Sequence, residues 1–343
     1  LWGGLLDIGA GDDIANAATR FASILHTPSK SAVLLRDGQL LTSVLGPFTG
    51  DPVRKPLRCR SDAAYLITGG LGDLGLLMAD WLGNRGARRV ILLGRTKVPA
   101  RSEAGNADAG TRRRLGAIGA LERRGVTVET AAIDIGSAEA VQEFLAQREA
   151  DGAPPVRGVI HAAGLAEGQL LTDLEADRVH RTLWPKIAGA QVLDRAFPPG
   201  ALDFLYLTAS AGTVFGVPGQ AAYAGGNAYL DGLARARHGQ GDNTVSLDWV
   251  AWEGLGFGKD AAIVVDELLR VGSRPINPVE ASAAWEYVSQ YDTAQVVMAP
   301  MQGAASASVG GPAAKPAVAW AELPPEEMRA GLQQGVRAIL AGE

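Results

Sequence analysis

From residue 64 onward, short apolar runs alternate with longer amphipathic stretches, and this alternation constrains the chain more than any other feature. Strands are predicted at 64–68 (AYLIT), 89–93 (RVILL), 127–132, 158–161, 204–208 and 244–249, with helices over 74–85, up to 124, and over 138–148. Continuous apolar strands separated by helices belong in a parallel sheet covered on both faces, with right-handed crossovers. The expected class is therefore α/β, a doubly wound parallel sheet with helices on both sides.

Composition excludes several function classes. The chain has 343 residues, enough to bury a sizeable core, and its formal charge of −5 argues against a nucleic-acid surface. One cysteine, Cys59, excludes a disulfide framework, and His26, His161, His180 and His238 show no metal-ligand spacing, so no metal is expected. No apolar run reaches the roughly 18 residues of a membrane span. Residue 1 is Leu and no leader pattern follows, so the expectation is a piece of a longer, cytoplasmic polypeptide. Residues 1–60 read as a preamble: a helix at 15–25, strands at 31–35 and 40–45 around the turn at Arg36-Asp37-Gly38, then a Pro- and Arg-rich linker at 51–60. Residues 303–322 have the Ala/Gly/Ser/Pro composition of a linker, and a short helix is predicted after Leu323.

Thr68-Gly69-Gly70-Leu71-Gly72-Asp73-Leu74-Gly75 follows the first of these strands and opens a helix. Gly69, Gly72 and Gly75 give the spacing that lets backbone approach a pyrophosphate at a helix N-terminus, which makes the sheet Rossmann-like. Where NAD sites usually carry an acid, the next strand ends in Arg95, which suits a 2′-phosphate and so NADPH; the alternative is a solvated arginine. Asp134, beside Ile135, suits the adenine amino group or, with Ser137, a helix cap. After His161, the small residues Ala162, Ala163 and Gly164 let backbone lie against a cofactor, and the histidine itself reads as structural.

Tyr223 and Asn227 are four residues apart and share a helix face. Ser210 precedes Tyr223 by 13 residues, and Lys186 lies in Trp184-Pro185-Lys186, in a chain with six lysines against 26 arginines. Together they make a candidate reducing site. Tyr223 would protonate a ketone oxygen, Ser210 would polarise it, and Lys186 would lower the phenol pKa and bind the nicotinamide ribose. Asn227 would hold Lys186 or a relay water. Singly, each has an ordinary alternative: a packed Tyr, a capping Ser, a surface Lys, a helical Asn.

These motifs resemble the short-chain dehydrogenase/reductase superfamily. Asn227 stands where that superfamily usually has Lys, and the displaced Lys186 resembles the ketoreductase (KR) domain of type I modular polyketide synthases. TGGLGDLG, HAAG, SAGTVFGVPGQAAYAGGNAYLD and VSLDWVAWEGLG agree over about residues 64–301. The resemblance implies reduction of a β-ketoacyl thioester on an acyl carrier protein by NADPH, with neighbouring synthase modules as partners and no nucleic acid. It also implies a truncated structural subdomain with its linker at 1–60, a catalytic domain at 61–302, a linker at 303–322 and the start of an acyl carrier protein at 323–343. Residues 254–274 resemble the family's mobile lid. Neither family marker of product hand is present: Glu167 stands in the segment of the first and Phe215 in place of the second. Gln220 reads as an entrance residue or a turn residue. The rival readings are a free-standing reductase for small ketones and a non-reducing structural or epimerising domain.

Overall fold

The computed structural model describes residues 5–25, 32–48, 51–100, 102, 107–256 and 262–301. The predicted linker at 303–322 and the helix after Leu323 lie outside them. The described residues fall into two compact units with their boundary between residues 47 and 48.

In the smaller unit, β1 (Leu5–Ile8) and α1 (Ile14–Leu25) precede a hairpin of β2 (Ala32–Arg36) and β3 (Gln39–Leu41). β1 pairs parallel with β2, and β2 antiparallel with β3. The predicted turn closes this hairpin, with Asp37 and Gly38 at φ 50° and 74°. Positive φ at both central residues matches the strand twist of a tight hairpin.

The larger unit carries β4 (Ala64–Thr68), α2 (Asp73–Asn84), β5 (Arg89–Gly94), α3 (Ala109–Arg123), β6 (Thr127–Ala132), α4 (Ala138–Ala150) and β7 (Val156–His161). It continues with α5 (Ala176–Ala196), β8 (Phe204–Ser210), α6 (Gly212–Phe215), α7 (Ala221–His238), β9 (Thr244–Trp249), α8 (Ala262–Arg270), α9 (Pro278–Val288) and β10 (Gln295–Met298). Seven strands form a parallel sheet in the order β10-β9-β8-β7-β4-β5-β6. The order reverses between β4 and β7, the switch point where such sheets open a crevice at their carboxyl ends.

Alternate residues of each strand enter two separate cores. Tyr65 and Ile67 face α2, α3 and α9, where Trp81 stacks on Trp285 with ring centroids 4.1 Å apart. Ala64 and Leu66 face α4, α5 and α7, against Val141, Leu193 and Leu230. Burial on both faces explains why these strands read as unbroken apolar runs.

The stretch predicted as a linker at 51–60 is instead an ordered part of the larger unit. Phe48 packs edge-on to Tyr287 and Tyr291, and the Val53 and Arg54 N–H groups donate to the Gln290 carbonyl. Arg54 donates to Asn243 Oδ1 at 2.7 Å and pairs with Asp292 at 2.7 Å. Its Pro and Arg content signals absence of regular structure, and these partners supply the order. By its contacts, the chain divides between residues 47 and 48.

Candidate active site

The glycine turn sits between β4 and α2 and is packed backbone to backbone. Gly69 adopts φ 65°, and a Cβ there would meet the Ala162 carbonyl oxygen at 2.7 Å. A Cβ on Gly70 would lie 2.8 Å from Leu92 Cα, and one on Gly75 only 2.5 Å from the Gly69 oxygen. Leu71 packs on Gly94, and Leu74 on Gly256. The turn is held by Gly70 N–H to the Leu93 carbonyl and Gly72 N–H to the Gly69 carbonyl, both 3.0 Å. Gly72 caps α2 with no side-chain acceptor, so the first-turn N–H groups are left for an anion. The arrangement fits a dinucleotide diphosphate. Gly75→Ala should cost about 1–3 kcal/mol by overpacking; thermal unfolding would show it, and an unchanged Tm would contradict the packing.

Thr68 and His161 tie the turn to β7. The Thr68 hydroxyl accepts the Ala163 N–H at 3.1 Å and shares a 2.7 Å hydrogen bond with His161 Nδ1. Burial pushes His161 down to about 3, so it is neutral. Ala162 N–H bonds the Thr68 carbonyl, and Gly164 follows in the loop.

Arg95 is exposed at the end of β5. Asp134, after β6, accepts the Gly136 N–H at 2.9 Å and the Trp184 indole N–H at 3.1 Å. The cap of α4 belongs to Ser137, whose oxygen accepts the Ala140 N–H, while Ile135 is buried against Gly189.

Lys186 comes from the middle of α5, which continues through Pro185. Its stem passes Gly226, where a Cβ would come within 3.2 Å of Lys186 Cβ, so the glycine lets α7 approach α5. The side chain is 3% exposed and the ammonium donates to the Thr208 carbonyl at 2.5 Å. Burial lowers Lys186 to about 8, opposed by the charges of Asp231 and Asp248. The ammonium also lies 5.9 Å from the Tyr223 ring centroid.

Tyr223 lies in the first turn of α7, and the Ser210 and Asn227 side chains are near enough to its hydroxyl to oppose the effect of burial on its pKa. Ser210 ends β8 and also accepts the Gly212 N–H at 3.2 Å. Burial raises the Tyr223 pKa, and Asn227 and Ser210 oppose that shift. Asn227 does not hold Lys186: its amide donates to the Tyr223 backbone carbonyl at 2.8 Å, as a helical residue four places on can.

Glu167, Phe215 and Gln220 are not equivalent. Glu167 pairs with Arg178 at 3.1 Å and Arg181 at 3.7 Å on α5. Phe215 and Gln220 line a cavity of about 30 Å³ beside Ser210, closed by Val264, Glu267 and Leu268 of α8. Sequence reading missed the grip of Trp184 on Asp134. Gly136 makes room for it: a Cβ there would lie 2.3 Å from the indole nitrogen. Among the described residues no cluster of His, Cys, Asp and Glu is arranged to hold a metal, and no helix is long and apolar enough to cross a membrane.

Comparison with known proteins agrees with this architecture. A KR-domain family model matches residues 63–254. The chain is 54% identical, over its whole length, to a component of the phenolphthiocerol/phthiocerol polyketide synthase of Mycobacterium tuberculosis, and spans 18% of that protein. It is 38% identical to mellein synthase of Phaeosphaeria nodorum over 87% of the chain, which corresponds to 17% of that synthase. An A1-type ketoreductase structure superposes with a TM-score of 0.74 at 27% identity, over 88% of this chain and 60% of that one. The ketoreductase from the first module of phoslactomycin biosynthesis in Streptomyces sp. HK803 gives 0.70 at 32% identity, over 88% and 66%. With the family model matching more than half of the residues, this chain belongs to the ketoreductase (KR) domain family of polyketide synthases.

Proposed function

We propose that this chain reduces a β-ketoacyl thioester, carried on an acyl carrier protein, to the β-hydroxyacyl thioester with NADPH during polyketide chain extension. The observation that carries the reading is the convergence of Tyr223, Ser210 and the buried Lys186, whose ammonium lies 5.9 Å from the Tyr223 ring, with β7 between Ser210 and the strand that feeds the glycine turn. NADPH, when bound, supplies the hydride to the β-carbon. The residues of the glycine turn, Thr68 to Gly75, hold its diphosphate, Arg95 its 2′-phosphate, Asp134 and Ile135 its adenine end, and Ala162 to Gly164 lie against it.

Tyr223 gives its phenolic proton to the ketone oxygen as negative charge builds there, and Ser210 donates a hydrogen bond to the same oxygen. Because burial raises its pKa, Tyr223 stays protonated, as an acid must. The same reading makes residues 1–47 part of a structural subdomain and the C-terminal residues the start of a carrier module, in a cytoplasmic synthase.

The test is NADPH consumption with a β-ketoacyl thioester surrogate and chiral analysis of the alcohol. Turnover is expected. A chain that binds no NADPH would instead be a structural domain. Arg95→Asp should shift the NADPH-to-NADH preference at least tenfold toward NADH, the worth of one charge-assisted bond. An unchanged ratio would remove the phosphate contact.

A further inference from the structure

Tyr223, Asn227 and Asp231 stand at four-residue steps on α7 and so share one stripe of it. The first two belong to the site already described. The third lies a turn deeper and meets Asp248 from β9, where Asp231 is 3% exposed and Asp248 and Ser246 are fully buried. Ser246 sits between the carboxyls, donating to Asp231 Oδ1 at 2.6 Å and lying 3.4 Å from Asp248 Oδ1. Gln295 from β10 donates to Asp248 Oδ2 at 2.6 Å, and its own amide oxygen is held by Arg235.

Neither carboxyl forms an ion pair with any described residue, in contrast to Asp242, which pairs with the equally buried Arg237. Two unpaired negative charges side by side in a dry interior are too costly to persist, so the pair sheds one by keeping a proton. Burial first, and then the neighbouring Asp231, push Asp248 up to about 8. Lys186 on α5 reaches the same region: its ammonium donates to the Thr208 carbonyl at 2.5 Å, one residue before Ala209, which pairs with Asp248 across β8 and β9, and the two acids support its charge. The other titratable groups facing Lys186 are His161 on β7, which is neutral, and Tyr223 on α7. Lys186 therefore has no other anion to balance it among the described groups.

We propose that Asp231 and Asp248 hold one proton between them, and that the single negative charge left is the counter-ion that keeps Lys186 an ammonium beneath Tyr223. Both are positioning residues: they touch no reacting atom and act through Lys186. One charge is the right number. Two would overbalance the lysine, and none would let it deprotonate in a buried site. The consequence for turnover rests on the ketoreductase reading above, whereas the protonation states do not.

The decisive measurement is a titration of the Lys186 ammonium by NMR on protein carrying 15N-lysine. With six lysines in the chain the resonance is assigned from its loss in Lys186→Ala. Asp248→Asn replaces an acid that is already neutral and should leave the Lys186 midpoint within a few tenths of a unit. Asp231→Asn with Asp248→Asn removes the charge and should lower the midpoint by roughly one unit or more. The alkaline limb of the pH–rate profile should move down with it. An unmoved midpoint in the folded double variant would overturn the proposal.

Should the double variant not fold, the unmodified protein decides by infrared spectroscopy. It should show a protonated-carboxyl band near neutral pH that disappears in Asp248→Asn, and absence of that band would equally overturn the shared proton. A chain that shows the band and the lysine shift but no thioester reduction would refute the proposed function and leave this inference standing.

Discussion

Tyr223→Phe is expected to lower reduction of a β-ketoacyl thioester by roughly 10²–10⁴-fold, the usual share of a positioned general acid, while NADPH binds as before. The variant removes one oxygen and keeps the ring that lies 5.9 Å from the Lys186 ammonium, so packing on α7 is preserved. What it takes away is the proton donor and the partner of the Ser210 and Asn227 side chains. Single-turnover rates with saturating NADPH, next to an independent fluorescence measurement of NADPH affinity, separate the two effects. Turnover within a few fold of the parent would show that another group protonates the ketone.

Lys186→Ala is expected to lower turnover by roughly 10²–10³-fold, the size of a lost preorganised electrostatic contact, and to weaken NADPH binding. The lysine also sets the pH dependence. Burial lowers it to about 8, so on raising the pH through that value the ammonium loses its charge and reduction should fall. Tyr223 moves the other way, its proton held more tightly by burial, so the alkaline limb belongs to Lys186. A limb near 8 in the parent is the expected profile. A limb unchanged in position and height in Lys186→Ala would assign it elsewhere.

The sheet was legible because its strands are buried on both faces. Those predicted at 64–68, 127–132 and 244–249 stand at those residues, and the others differ by a few positions at their ends. β10 escaped notice as a four-residue edge strand, too short for a periodic pattern. The chemistry-bearing side chains were legible by type and spacing, but their partners were not. Nothing in a sequence says that Pro185 lies inside a continuous helix, that Trp184 reaches Asp134, or that Asn227 turns back on its own helix. Asp231 and Asp248 read as ordinary acids until tertiary contacts bury them together. The strap at 51–60 depends on Arg54 meeting Asn243 and Asp292, contacts that span more than half of the chain.

That strap bears on how such enzymes are recombined. A chimeric synthase joined at residue 60 would begin its grafted reductase without Phe48, Val53 and Arg54, stripping the groove formed by Tyr287, Gln290 and Asp292 of its native filling. A junction at residue 47 carries the strap along with the sheet it braces. Modules exchanged at the earlier crossover should therefore express as soluble, active hybrids where those cut thirteen residues later aggregate.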